Sequence, residues 1–184
     1  HHAFADMAGG FCFLNNAAIA AEQCVRAGMR PAILDVDVHH GNGTQGIFYH
    51  RSDVFTVSVH ADPIRFYPFF WGHAHERGDG PGLGYNLNIP LTRGTSDSDY
   101  MEALEPGLDA IRSFGPDVVI VALGLDAYEE DPLKGLAITT EGFGRIGAAI
   151  GGLALPTLLI QEGGYLSDAL GANLTSVLKG FESV

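Results

Sequence analysis

The stretch Ala32–Val38, AILDVDV, is apolar except for two aspartates, and His39 follows it directly. A run this short and this apolar suits a strand buried on both faces of a parallel sheet. In an extended chain, residues two apart point to the same side. Asp35, Asp37 and His39 therefore fall at alternating positions, and Asp37 and His39 can face one point beyond the strand's C-terminal end. Open parallel sheets place their ligands there. Acidic groups at the end of an apolar strand are costly unless they are paired or bound to a metal.

The same kind of run recurs at Val54–Val59, Val118–Leu123 and Thr157–Ile160. Helical stretches separate them. Asn16–Ala27 is rich in alanine, with Asn15 placed to cap it and Gly28 at the C′ position. Ser96–Phe114 is amphipathic and ends at Gly115-Pro116, with Pro106 inside it where a kink is expected. Glu141–Leu153 follows a Thr-Thr pair that can cap it, and Asp168–Lys179 is the last helix. Strand and helix in alternation give an α/β fold with a mostly parallel sheet. Ala61–Asn88 is long, rich in Gly, Pro and aromatic residues, and has no clear period. It is expected to be a functional loop.

One carboxylate and one imidazole make two ligands, and a catalytic zinc site uses three plus an open position. Asp126, just past Val118–Leu123, is placed to be the third. The run at Thr157–Ile160 leads into Gly163-Gly164-Tyr165, where glycines allow close backbone approach to a substrate at Gly163 and a hydroxyl can aim at the same centre. Taken singly, Asp-x-His is a surface pair or a helix cap, Asp126 a turn residue and Tyr165 a rim residue. Polar chemistry at three separate strand ends favours a metal site.

With 22 acidic against 10 basic residues the net charge is −12, which repels phosphate backbones and attracts small cations. Nucleic acid is excluded as a partner on that ground. No apolar run reaches the ~18 residues needed to span a bilayer, and no membrane partner is expected. There is no signal-peptide pattern and no initiator Met, so the start looks cut. Cys12 and Cys24 form no CxxC pair, which fits a reducing, cytoplasmic setting, with Cys12 read as a small buried thiol. The chain opens on His1-His2, either the stub of a tag or a working pair.

The segments HHA, GGFCFLNNAAIAA, DVDVHHGNGTQ, SVHADP, GLDAYEEDP and EGGY, in this order, resemble the zinc-dependent histone deacetylase superfamily. That superfamily holds eukaryotic lysine deacetylases and bacterial acetylpolyamine amidohydrolases, and the bacterial type is the more similar. The resemblance runs from His1 to about Gly180. It implies an arginase/deacetylase-like sheet with the active site at the strand C-termini. It also implies that residues 1–184 are part of a single catalytic domain of nearly twice this length, lacking its N-terminal part.

Residue by residue, the resemblance implies that Asp37, His39 and Asp126 bind Zn²⁺, with Fe²⁺ or Co²⁺ as substitutes. His1 and His2 become the proton-handling tandem histidines, with Asp35 behind the first and Asn42 behind the second. Tyr165 polarises the acetyl carbonyl. A structural K⁺ would use Asp35, Ser58 and backbone carbonyls including those of Asp37, His39 and Val59. Phe11 and Tyr67 match the aromatic pair lining the acyl-chain tunnel, where Tyr67 departs from the usual Phe. The loop YPFFWGHAHERG is similar to that of the polyamine enzymes. The implied substrate is thus a small cationic acetylated amine, with acyl-lysine protein as the alternative and a homodimer as the one protein partner in view. Two other readings fit less well. An arginase-like ureohydrolase needs an Asp where Gly41 stands, and a catalytically silent acyl-lysine binding module would have lost a ligand or Tyr165.

Overall fold

The computed structural model describes residues 1–184. Five short runs become strands: β1 Pro31–Asp35, β2 Phe55–Ala61, β3 Asn86–Leu91, β4 Val118–Leu123 and β5 Thr157–Gln161. Five helices connect them: α1 Asn16–Arg26, α2 Asn42–Phe48, α3 Asp97–Phe114, α4 Thr140–Gly151 and α5 Leu170–Glu182. The strands form one sheet in the order β3-β2-β1-β4-β5, and every neighbouring pair is parallel.

Alternation along β1 and β4 sorts the core. Ala32, Leu34, Val119, Val121 and Leu123 face the larger cluster, which also takes Leu104 and Leu108 of α3, Phe143 and Ile146 of α4 and Val177 of α5. Ile33, Ile120 and Ala122 face the other way, onto Ala17, Ala18 and Ala21 of α1 and Phe48 of α2. Small alanines let α1 lie close to the sheet. Burying each Ile or Leu of this kind contributes roughly 1.5–3 kcal/mol.

The helices start and stop where local chemistry directs. Asn15 caps α1 by accepting from the Ala18 N–H at 2.9 Å, and Gly28 has φ +80°. Thr139 caps α4, and Gly115, left-handed, ends α3. α3 runs unbroken through Pro106.

Two expectations are corrected, and one helix is new. β1 stops at Asp35 and does not reach Val38. The Asp35 carboxylate accepts from the Asp37 N–H at 3.1 Å, and the Asp37 carboxylate from the His39 N–H at 2.8 Å, so side chains bend the backbone out of the ladder. The segment Ala61–Asn88 is not all loop, because β3 begins at Asn86 and pairs with β2 from Thr56 to Ala61. Leu87, Ile89 and Leu91 alternate with Asn86, Asn88 and Pro90, a two-residue period that marks this strand, and Pro90 is tolerated because β3 lies at the sheet edge. Asn42–Phe48 forms α2, unseen because Gly43 and Gly46 interrupt its seven residues. Gly43 is needed there because a Cβ would collide with the backbone of His2 and Ala3.

Candidate active site and metal centre

The bend after β1 and the turn after β4 bring the three candidate metal ligands together. Asp37, His39 and Asp126 are all buried, and one donor atom from each lies within 4.8 Å of the others. His39 Nδ1 is 3.1 Å from Asp37 Oδ1 and 3.1 Å from Asp126 Oδ2. Bond lengths of 2.0–2.2 Å around a tetrahedral cation give ligand-to-ligand edges of about 3.3 Å, so the spacing fits a small divalent ion. Asp126 Oδ2 is buried and has no hydrogen-bond partner, which also fits an atom aimed at a cation. Its second oxygen accepts from the Val38 N–H at 3.1 Å. Burial and the Asp37 charge push the Asp126 pKa up to about 6. The His39 pKa rises to about 9, burial being outweighed by Asp126 and Asp37.

Gly163 takes part in this cradle differently from the expectation. Its N–H donates to Asp37 Oδ2 at 2.8 Å, so that donor orients a ligand and is not offered to a substrate. A Cβ at Gly163 would collide with the carboxylates of both Asp126 and Asp37. The sequence marks Gly163 for close backbone approach, and what it approaches is the metal cradle.

His1 and His2 sit beside the cradle with ring centroids 4.0 Å apart. His1 Nδ1 lies 2.7 Å from Asp35 Oδ2, and His2 Nδ1 lies 2.7 Å from Asn42 Oδ1. The two rings nevertheless take opposite states. Burial opposes charge on His1, but Asp35 and Asp37 outweigh it and hold its pKa well above 6.5. Burial and the neighbouring His1 charge push His2 down to about 3. An amide oxygen can only accept, so His2 Nδ1 carries the hydrogen and Nε2 is left bare.

Asn15 is a residue that sequence reading placed only as a cap. Its side chain also donates to His1 O, Ala3 O and Thr44 Oγ1 at 3.3, 3.1 and 3.0 Å. One residue thus fixes the start of α1 and the backbone that carries both histidines.

Tyr165 borders the cavity with His2 and His39. Burial and then Asp126 raise its pKa. Phe11 and Tyr67 line that same outer cavity of about 430 Å³, joined by Leu133, which the sequence did not mark. Phe11 is 93% exposed and has φ +66°, so it forms a rim and not a buried wall. The Tyr67 ring meets His2 edge-on at 4.8 Å. The Phe66 ring stacks on His39 at 5.0 Å. Cys12, expected to be buried, is half-exposed on an inner cleft of about 220 Å³ that also touches His1, Glu162 and Gly164. Its neighbours Phe11 and Phe13 face solvent, so no apolar layer covers it. Ser58 lies opposite Asp35 in the β1–β2 register, and its hydroxyl bonds His60 Nδ1 at 2.8 Å. Val59 is buried.

Residues 1–181 match the histone deacetylase domain family. The chain belongs to the histone deacetylase family. An acetylpolyamine amidohydrolase of Burkholderia pseudomallei (strain 1710b) is 51% identical over 181 residues, covering 98% of this chain and 53% of that protein. Acetylpolyamine amidohydrolase 2 of Pseudomonas aeruginosa is 49% identical over 185 residues, covering 100% and 54%. A crystal structure of acetylpolyamine aminohydrolase from Burkholderia pseudomallei superposes with a TM-score of 0.95 at 51% identity, covering 99% of this chain and 53% of that one. The chain therefore spans about half the length of these histone deacetylase family relatives. The family match begins at His1, so the pair is family sequence and not a tag stub.

Proposed function

We propose that this chain carries the catalytic centre of a zinc-dependent amide hydrolase that removes acetyl groups from acetylated polyamines. The observation that carries the reading is the buried Asp37–His39–Asp126 cluster with a neutral His2 and Tyr165 on the same cavity. A cation held by Asp37, His39 and Asp126 would supply Lewis-acid polarisation of the acetyl carbonyl and lower the pKa of a bound water toward neutral. His2 Nε2 takes the proton from the attacking water and returns it to the amine nitrogen as the C–N bond breaks. The Tyr165 hydroxyl donates to the carbonyl oxygen as negative charge develops on it. His1, held protonated by Asp35, keeps positive charge beside the same point. The products are acetate and a free amine.

Two observations support a polyamine substrate. The relatives cited above carry acetylpolyamine names at about half identity, and the net charge of −12 draws in small cations. We assign Zn²⁺ to the cradle, with Fe²⁺ or Co²⁺ able to replace it, and K⁺ to Asp35, Ser58 and the Val59 carbonyl. No helix is long and apolar enough to cross a membrane, and we place the reaction in the cytoplasm. The test uses the full-length gene product loaded with zinc, assayed for acetate release from acetylputrescine and from an acetyl-lysine peptide. Release from acetylputrescine at a kcat/KM at least tenfold above the peptide is expected. No release from either, with zinc bound, overturns the enzyme reading; release from the peptide alone overturns the polyamine reading.

A further inference from the structure

The outer cavity is bordered by segments that lie far apart in the chain. Tyr67 comes from the aromatic stretch after β2, and Leu133 from the turn after β4. Behind the cavity these two segments touch. A Cβ at Gly135 would collide with Val38 and press on Phe66. Phe66 precedes Tyr67, and its ring stacks on His39. The Phe66–Tyr67 wall is thus seated on a candidate metal ligand, and the Leu133 wall leans against it.

Arg93, two residues past the end of β3, reaches both walls from outside. Its Nη2 donates to Leu133 O at 3.0 Å and to Lys134 O at 3.1 Å, and its Nε donates to Lys134 O at 3.3 Å. Its guanidinium carbon lies 5.2 Å from the centre of the Phe66 ring, within range of attraction between a cation and a ring face. The Gly94 N–H adds a bond to Gly135 O at 3.0 Å. The turn held in this way is strained. Lys134 has φ +53°, a left-handed conformation that a side-chain-bearing residue adopts at a cost. Freed of Arg93, Lys134 relaxes toward ordinary backbone angles and Leu133 moves with it. Arg93 itself is exposed and does not border the cavity, so its influence on a substrate passes through Leu133.

We infer that Arg93 is a positioning residue that holds Leu133 at a fixed distance from Tyr67, and so makes the outer cavity favour a slender amine chain over a bulkier one. The choice of substrate rests on the amide-hydrolase reading; the clamp rests on its own geometry. The test uses the full-length, metal-loaded protein with acetylputrescine and an acetyl-lysine peptide. Arg93→Ala should raise KM for acetylputrescine at least fivefold and leave kcat within threefold, because His2, Tyr165 and the metal cradle are not touched. The preference over the peptide should narrow at least fivefold. Arg93→Lys keeps the charge but loses the forked donor, and its KM should fall between wild type and the alanine variant. In a Leu133→Ala background, Arg93→Ala should change KM less than twofold, because the side chain it positions is gone. A KM unchanged within twofold in Arg93→Ala, or the same fold-change with and without Leu133, overturns the assignment.

Hydrogen exchange on the same protein supplies a readout that needs no turnover. The Lys134 amide donates to Asp131 O at 3.1 Å, and it should exchange at least tenfold faster in Arg93→Ala while the amides of β1 keep their rates. Exchange that is unchanged at Lys134, or that rises equally in β1, overturns the clamp. If wild type hydrolyses neither substrate, the function falls, and exchange decides the role of Arg93 alone.

Discussion

His1 and His2 are the same side chain 4.0 Å apart, and their surroundings drive them to opposite protonation states: two carboxylates raise the first, while burial and the charge of the first lower the second. Asp35 brings a full negative charge to one; Asn42 brings only an amide dipole to the other. Replacing Asn42 by Asp should therefore raise the His2 pKa, since an opposite charge at contact distance shifts it by about 1–3 units. His2 works in its neutral form, so a raised pKa removes activity at higher pH than before. The acidic limb of the pH–rate profile is expected to move up by about one unit or more. A limb that stays in place would show that His2 is not the base. Tyr165→Phe should keep the metal and lose roughly 10²-fold or more in kcat, the scale of one oxyanion donor. Metal content by emission spectroscopy separates that outcome from collapse of the cradle.

At the scale of elements, the site hangs on joints between them. Asn15 links the α1 N-terminus to the His1–Ala3 backbone and to Thr44 of α2. Asn15→Ala removes a cap and leaves the Ala3 carbonyl without its partner, while His1 O keeps the Thr44 N–H, at a cost of about 2 kcal/mol. Chemical denaturation should show a lower midpoint with an unchanged m-value, and kcat should fall as the histidines loosen. Such joints explain what was legible in the sequence. The apolar runs of β1, β2 and β4 announce themselves because burial demands them; β5 was expected to be buried on both faces and its residues are partly or fully exposed instead; the caps Asn15 and Thr139 show because their chemistry is local. β3 hid behind alternating asparagines, whose side chains bond to Gln45 and to loop carbonyls distant in sequence. α2 hid behind two glycines, Gly43 set by the backbone of residues 2 and 3 and Gly46 by the Phe4 ring. Asp37, His39, Asp126 and Tyr165 were readable because each stands at a strand end. Leu133 was not, because only tertiary packing brings it to the cavity.

For the molecule as a whole, two buried carboxylates within a few ångströms of each other repel unless a cation lies between them. Metal binding to the folded state alone adds stability as RT ln(1 + [L]/Kd), about 2.7 kcal/mol at a hundredfold excess over Kd. For a chain of this size that is on the order of 5–10 °C in Tm. Chelation should lower Tm by that amount, and added zinc should restore both Tm and activity. A Tm indifferent to chelator and to zinc would remove the metal from the Asp37–His39–Asp126 cradle.

β1 and β4 lie side by side in the sheet, although β2, β3 and α3 come between them in the chain. Asp37 and His39 meet Asp126 only once these two strands pair, and such long-range parallel pairing is slow. Half a cradle, Asp37 and His39 alone, is what a nascent chain can offer. The choice of metal is thus made late, by a finished cavity sampling the ions around it, and the same polypeptide matured in two different ion pools would emerge as two different holoproteins.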